Sequence, residues 1–245
     1  VVSYGDPDYV SLRGDLALSP DSLLRLDEKF AMHPSLKPLA DMFLAKELAI
    51  VHATASPYRE RSHFDAQNVL ELGSTMPHAL QSGWLNRMVE SINAKDQTLG
   101  LAIGTSVPMM LRGDMHVPSW APSAMPGVDG DFMTLLSGVY QHDPLFLNAL
   151  QEGQAMQAQT SDAEHGDDAE MMKNNKTNPQ FVKLAEMAGK FLTDPNGARL
   201  ATLELGGWDT HVQQGTEGGR LANNFDLLSR GIAALKISLG PVWPK

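Results

Sequence analysis

Cysteine is absent from the chain. That excludes disulfides and thiolate metal sites, and it leaves the compartment open, because a disulfide-free protein suits cytosol or periplasm alike. Basic residues are also scarce: 19 Lys and Arg stand against 29 Asp and Glu, a formal net charge of −10. With no Lys/Arg run to offset it, this balance argues against a nucleic-acid partner and against an anionic membrane surface. No apolar run reaches transmembrane length, and no signal peptide opens the sequence as given. Internal repeats and low-complexity tracts are missing too. What remains is 245 residues with 42% hydrophobic content, enough to bury a sizeable core. The opening Val1-Val2-Ser3-Tyr4-Gly5-Asp6-Pro7 lacks Met, and Leu239-Gly240-Pro241 resembles a turn feeding another strand. Both ends therefore read as those of a fragment.

Helical and strand-like patterns alternate. Ser19-Pro20-Asp21 looks like a helix start, followed by apolar Leu23, Leu24, Leu26 and Phe30. Helices are expected over 35–46, 62–72 ending at Gly73, 83–93, 131–140, 144–159, 179–192 and 219–239. Strands are expected at Leu48–Ala53, Leu99–Ile103 and Leu200–Leu205. Alternation of this kind indicates one α/β domain, 1–245, with a mainly parallel sheet. Residues 110–130, rich in Pro, Gly, Ser and Trp, form an irregular excursion and a candidate lid flanked by Asp114 and Trp120. Residues 160–178 are the most polar stretch and the expected mobile loop.

The most informative stretch is Leu200-Ala201-Thr202-Leu203-Glu204-Leu205-Gly206-Gly207-Trp208-Asp209-Thr210-His211. A branched apolar run stops at two glycines and releases an Asp and a His two positions apart. In extended backbone such residues face one side, and ligands of open α/β sheets sit at the carboxyl ends of strands. A carboxylate and an imidazole there suit a divalent metal such as zinc. The plainer alternative is a turn cap at Asp209 and an ordinary polar His211.

A second cluster, Ala55-Ser56-Pro57-Tyr58-Arg59-Glu60-Arg61-Ser62-His63-Phe64-Asp65-Ala66-Gln67, follows the expected strand Leu48–Ala53. Ser62 with Asp65 three residues on resembles a capping box, the structural reading of both. The functional reading rests on the partial positive charge of a helix N-terminus, which favours a phosphate or sulfate group. Arg59 and Arg61 could neutralise the same anion. Ser62 is then a nucleophile, with His63 and Asp65 as ligands or orienting groups. Parallel strands would bring both clusters to one edge of the sheet.

Together, S-P-Y-R-E-R-S-H-F-D-A-Q, G-W-L-N-R, L-R-G-D with P-S-W-x-P, and E-L-G-G-W-D-T-H resemble the DUF1501 family over nearly the whole chain. That family looks like a branch of the alkaline phosphatase and sulfatase superfamily. The resemblance implies an alkaline phosphatase-like three-layer α/β/α sandwich, incomplete in this fragment. It also implies twin-arginine export to the bacterial periplasm. The implied activity is metal-dependent hydrolysis of a small anionic phosphate or sulfate ester, with zinc, manganese or calcium as cofactor. By resemblance, Asp209 and His211 match a strand-end metal pair, and Ser62 lies where sulfatase-like enzymes place their nucleophile. A Gly-Gly-x-Asp-Gly motif before Val1, and Glu-Phe-Gly-Arg and Asp-His segments after the last helix, would complete the metal site. The competing reading is a non-catalytic binding or scaffolding protein that keeps the fold. A third makes both clusters caps and turns. Among the other residues, His52 reads as a hydrogen-bonded core histidine and His33 as structural, while His78, His116, His142 and His165 receive no role.

Overall fold

A computed structural model describes residues 1–92, 99–122, 129–160, 179–195 and 197–243. The expected mobile loop at 160–178 falls almost entirely outside the described residues. The chain forms two compact units. One comprises residues 1–57, 175–195 and 203–245, and the other 58–174 and 196–202. The architecture is mixed α/β with a three-stranded parallel sheet.

The first unit opens with the short helix α1 (Tyr9–Arg13) and an antiparallel hairpin, β1 (Leu24–Arg25) with β2 (Ala31–Met32). The helix expected from Ser19 is therefore not formed. The reason is Asp27, whose carboxylate accepts the amides of Lys29 and Phe30, both at 2.7 Å. That side-chain turn reverses the chain, and the Leu26 amide then donates to the Phe30 carbonyl at 3.0 Å. After a 3₁₀ turn at Pro34–Leu36 comes α2 (Lys37–Leu44), within the expected 35–46. Its buried Leu39, Ala40 and Met42 join Met32 and Leu36 in a core that Phe225, Ile232 and Trp243 flank.

Leu48–Ala53 is not a strand. Among the described residues it joins no ladder, and Val51 is 76% exposed. An apolar run without a partner strand has no place for its backbone groups except solvent. His52, expected in a core, is exposed and stacks on Phe30 with ring centroids 4.1 Å apart.

Helices α7 (Pro179–Thr193) and α8 (Arg220–Leu239) complete this unit. They approach closely because glycine faces a larger residue twice. A Cβ at Gly231 would collide with the Phe181 ring, and one at Gly189 with Ser238.

In the second unit, α3 (His63–Leu72) and α4 (Trp84–Ile92) accompany the sheet, which is ordered β4 (Ser119–Trp120), β3 (Gly100–Ile103), β5 (Leu200–Leu203). All four residues of β3 are buried, as a central strand of a covered sheet requires. Helices α5 (Gly130–Tyr140) and α6 (Pro144–Thr160) follow. Each of the expected helices from residue 35 onward is present within a residue or two.

The described part of the irregular excursion is held by buried Asn86, in the first turn of α4. Its amide donates to the Leu111 carbonyl at 2.8 Å and to the Met115 carbonyl at 2.7 Å, and its oxygen accepts the Met115 amide at 3.2 Å. The Gly83 amide donates to Arg112 O at 2.8 Å. Arg87 reaches back to the Leu72 carbonyl at 2.8 Å, tying the end of α3 to α4. The motif G-W-L-N-R thus binds the motif L-R-G-D.

Candidate functional site

The segment leaving β5 is fixed at several points within the first unit. Gly207 turns the backbone at φ 85°, where its carbonyl accepts Asn224 Nδ2 at 2.7 Å. Trp208 donates its indole N–H to Leu205 O at 2.7 Å, and its ring packs on Phe225 at 5.7 Å. Thr210 is buried. Its neighbours therefore face outward: the Asp209 side chain is 56% exposed and that of His211 77%. Asp209 Oδ2 lies 2.8 Å from His211 Nε2, so the sequence-expected pair does converge. His211 sits at φ 46°, a left-handed conformation that histidine adopts more readily than most side chains.

The donor chemistry fits two positions of a metal site. Ligands bound at zinc-like distances of about 2.1 Å and tetrahedral angles stand about 3.4 Å apart, close to the pair's present spacing. Catalytic zinc sites use three protein ligands. Among the described residues no group of three His, Asp or Glu assembles.

Ser62, in the second unit, is the N-cap of α3: its Oγ accepts the Asp65 amide at 3.2 Å. The helix ends at Gly73, whose φ of 62° makes it the left-handed C-cap. The cap expected from the sequence is thus formed, while the strand that was to precede the cluster is not. Two residues that sequence reasoning left out join it. Tyr58 donates its hydroxyl to Asp65 Oδ2 at 3.3 Å. Desolvation first, and the Asp65 charge second, hold the Tyr58 phenol above its usual pKa. His78 Nε2 lies 3.9 Å from Asp65 Oδ1. Its backbone stands at φ 56°, with its amide donating to buried Asn68 at 2.7 Å.

Tyr58 stands seven residues before Asp65, a helical spacing, but it lies on irregular backbone ahead of α3, so helix periodicity does not mark the pair. The only signal was its place inside the S-P-Y-R-E-R-S motif. His63, Arg59 and Arg61 are exposed. The Ser62 and Asp209 clusters belong to different compact units.

His33, read as structural, is so. It is 4% exposed, Nδ1 accepts the Ser35 amide at 3.1 Å, and Nε2 meets the Thr216 carbonyl at 2.8 Å.

The model of the DUF1501 family, described as a protein of unknown function, matches residues 21–243. The chain belongs to that family. No curated protein and no solved structure matches the chain.

Proposed function

We propose that this DUF1501 protein is a metal-dependent hydrolase of phosphate or sulfate esters, built on an alkaline phosphatase-like α/β/α fold and exported to the periplasm. The observation that carries the reading is the Asp209–His211 pair: an oxygen and a nitrogen donor, 2.8 Å apart, exposed, on a segment tied down just ahead of it. Asp209 Oδ2 and His211 Nε2 would hold a zinc, manganese or calcium ion together with ligands from elsewhere in the protein. Such an ion supplies Lewis-acid stabilisation for charge building on the ester group.

The chain's own residues do the rest. Asp209 and His211 are oriented by a backbone that Trp208 and Asn224 restrain. Within the second unit, Ser62 is the candidate nucleophile, and the Tyr58 hydroxyl donates to Asp65 beside it. Arg59 and Arg61 contribute positive charge for an anionic substrate.

The test is turnover of p-nitrophenyl phosphate and p-nitrophenyl sulfate by the full-length protein, with zinc, manganese or calcium added after chelation. The reading expects metal-dependent release of p-nitrophenol that Asp209→Ala and His211→Ala abolish. Turnover unaffected by Asp209→Ala refutes it. Metal binding without turnover of either ester returns the protein to a binding or scaffolding role.

A further inference from the structure

A cavity of about 310 Å³ opens in the first unit, lined by residues that the hydrolase reading does not use. Its volume is at the lower end of the range for small-molecule sites. One wall is Gln214–Thr216, and His33 holds that wall in place through Thr216 O. Because His33 Nδ1 accepts a backbone amide, its proton sits on Nε2, where it donates to Thr216 O; both ring nitrogens are committed. His33 is therefore a fixed part of the wall. Leu18, Leu221 and Phe225 give the cavity its apolar surface.

Beside the polar lining residues Ser3, Gln214 and Thr216, Tyr9 and Arg13 offer donors to a guest. Tyr9 accepts the Leu18 amide at 3.0 Å through its hydroxyl oxygen, which leaves the O–H free to donate. Arg13, an exposed lining residue, makes no ion pair among the described residues. No Asp or Glu lines the cavity, although acidic residues outnumber basic ones by 29 to 19 in the chain. A guanidinium and a hydroxyl donor above apolar walls select an anionic head on an apolar body.

We propose that this cavity binds a small organic anion, a carboxylate or a phosphate-type group on an apolar body, with Arg13 as its counter-charge. The site needs neither the Asp209–His211 pair nor the Ser62 hydroxyl. Calorimetric titration of the full-length protein with benzoate, phenylphosphonate and neutral benzyl alcohol tests it.

At least one anion should bind tenfold or more tightly than benzyl alcohol, and which one does so identifies the head group. Arg13→Gln should weaken that anion at least tenfold while thermal stability stays unchanged, because Arg13 is exposed. Asp209→Ala should leave the binding intact, so failure of the hydrolase reading and failure of this one are told apart. The proposal is overturned if neither anion exceeds benzyl alcohol, or if Arg13→Gln binds as wild type does.

Discussion

Replacing Asn86 by Ala is the most demanding test of how the irregular excursion is held. Asn86 is 1% exposed and makes three hydrogen bonds to the segment 111–115, at 2.8, 2.7 and 3.2 Å. Each such bond contributes about 1 kcal/mol net, and a partner left buried without one costs about 1–3 kcal/mol. Asn86→Ala strands the carbonyls of Leu111 and Met115 and the amide of Met115. Water can reach the partly exposed Met115 groups, so the expected loss is about 3–5 kcal/mol rather than the full sum. That is a large share of the 5–15 kcal/mol typical of a whole domain. Asn86→Asp is the sharper variant. It preserves volume and the acceptor for Met115, but it sets a negative oxygen against two carbonyls, so it should cost at least as much. Urea unfolding by circular dichroism measures the loss, and hydrogen exchange should show the amides of 109–115 losing protection. A change below about 1 kcal/mol with unaltered exchange at 109–115 would refute the argument.

Three further outcomes follow from other contacts. Ser62→Ala should lower stability by about 1 kcal/mol while Ser62→Asn and Ser62→Asp hold it, since a cap needs only an acceptor. If Ser62 is the nucleophile, only Ser62→Thr keeps any ester turnover, and wild-type turnover by Ser62→Asn would show a cap alone. Ser229, 1% exposed, has an oxygen without a hydrogen-bond partner among the described residues. Ser229→Ala should therefore raise stability by about 1 kcal/mol in thermal melts, and a loss would mean the hydroxyl is satisfied. The Asp27 carboxyl is held below its usual pKa, first by the Lys29 amide and then by that of Phe30. A folded pKa below the unfolded one means that its stabilisation is present above the ordinary carboxylate range and is lost as pH falls through the folded value. Asp27→Asn should therefore flatten the acid limb of the stability profile, and an unchanged limb would contradict this assignment.

Helix α3 was legible because its two stop signals are local: Ser62 caps the start and Gly73 closes the end at positive φ. The β1–β2 hairpin was not, because Ser19-Pro20-Asp21 imitates a helix start and Leu23, Leu24, Leu26 and Phe30 imitate an apolar face. What decides that segment is Asp27 bonding its own neighbours' amides, a competition that hydrophobic spacing does not register. Leu48–Ala53 had strand composition, but strand formation depends on a partner that composition cannot supply. At the site, Asp209 and His211 were legible as a pair because their spacing of i and i+2 suggested one side of the chain, although His211 turns into the left-handed region at φ 46°. Tyr58 and His78 were not, since one reaches Asp65 from irregular chain before α3 and the other from beyond its Gly73 end.

Metal content tests the central claim most directly. The full-length protein, purified without chelator, should carry near-stoichiometric zinc, manganese or calcium by elemental analysis, and Asp209→Ala and His211→Ala should each lose most of it. Wild-type metal content in Asp209→Ala, with the fold intact by circular dichroism, would contradict the assignment of this pair as metal ligands.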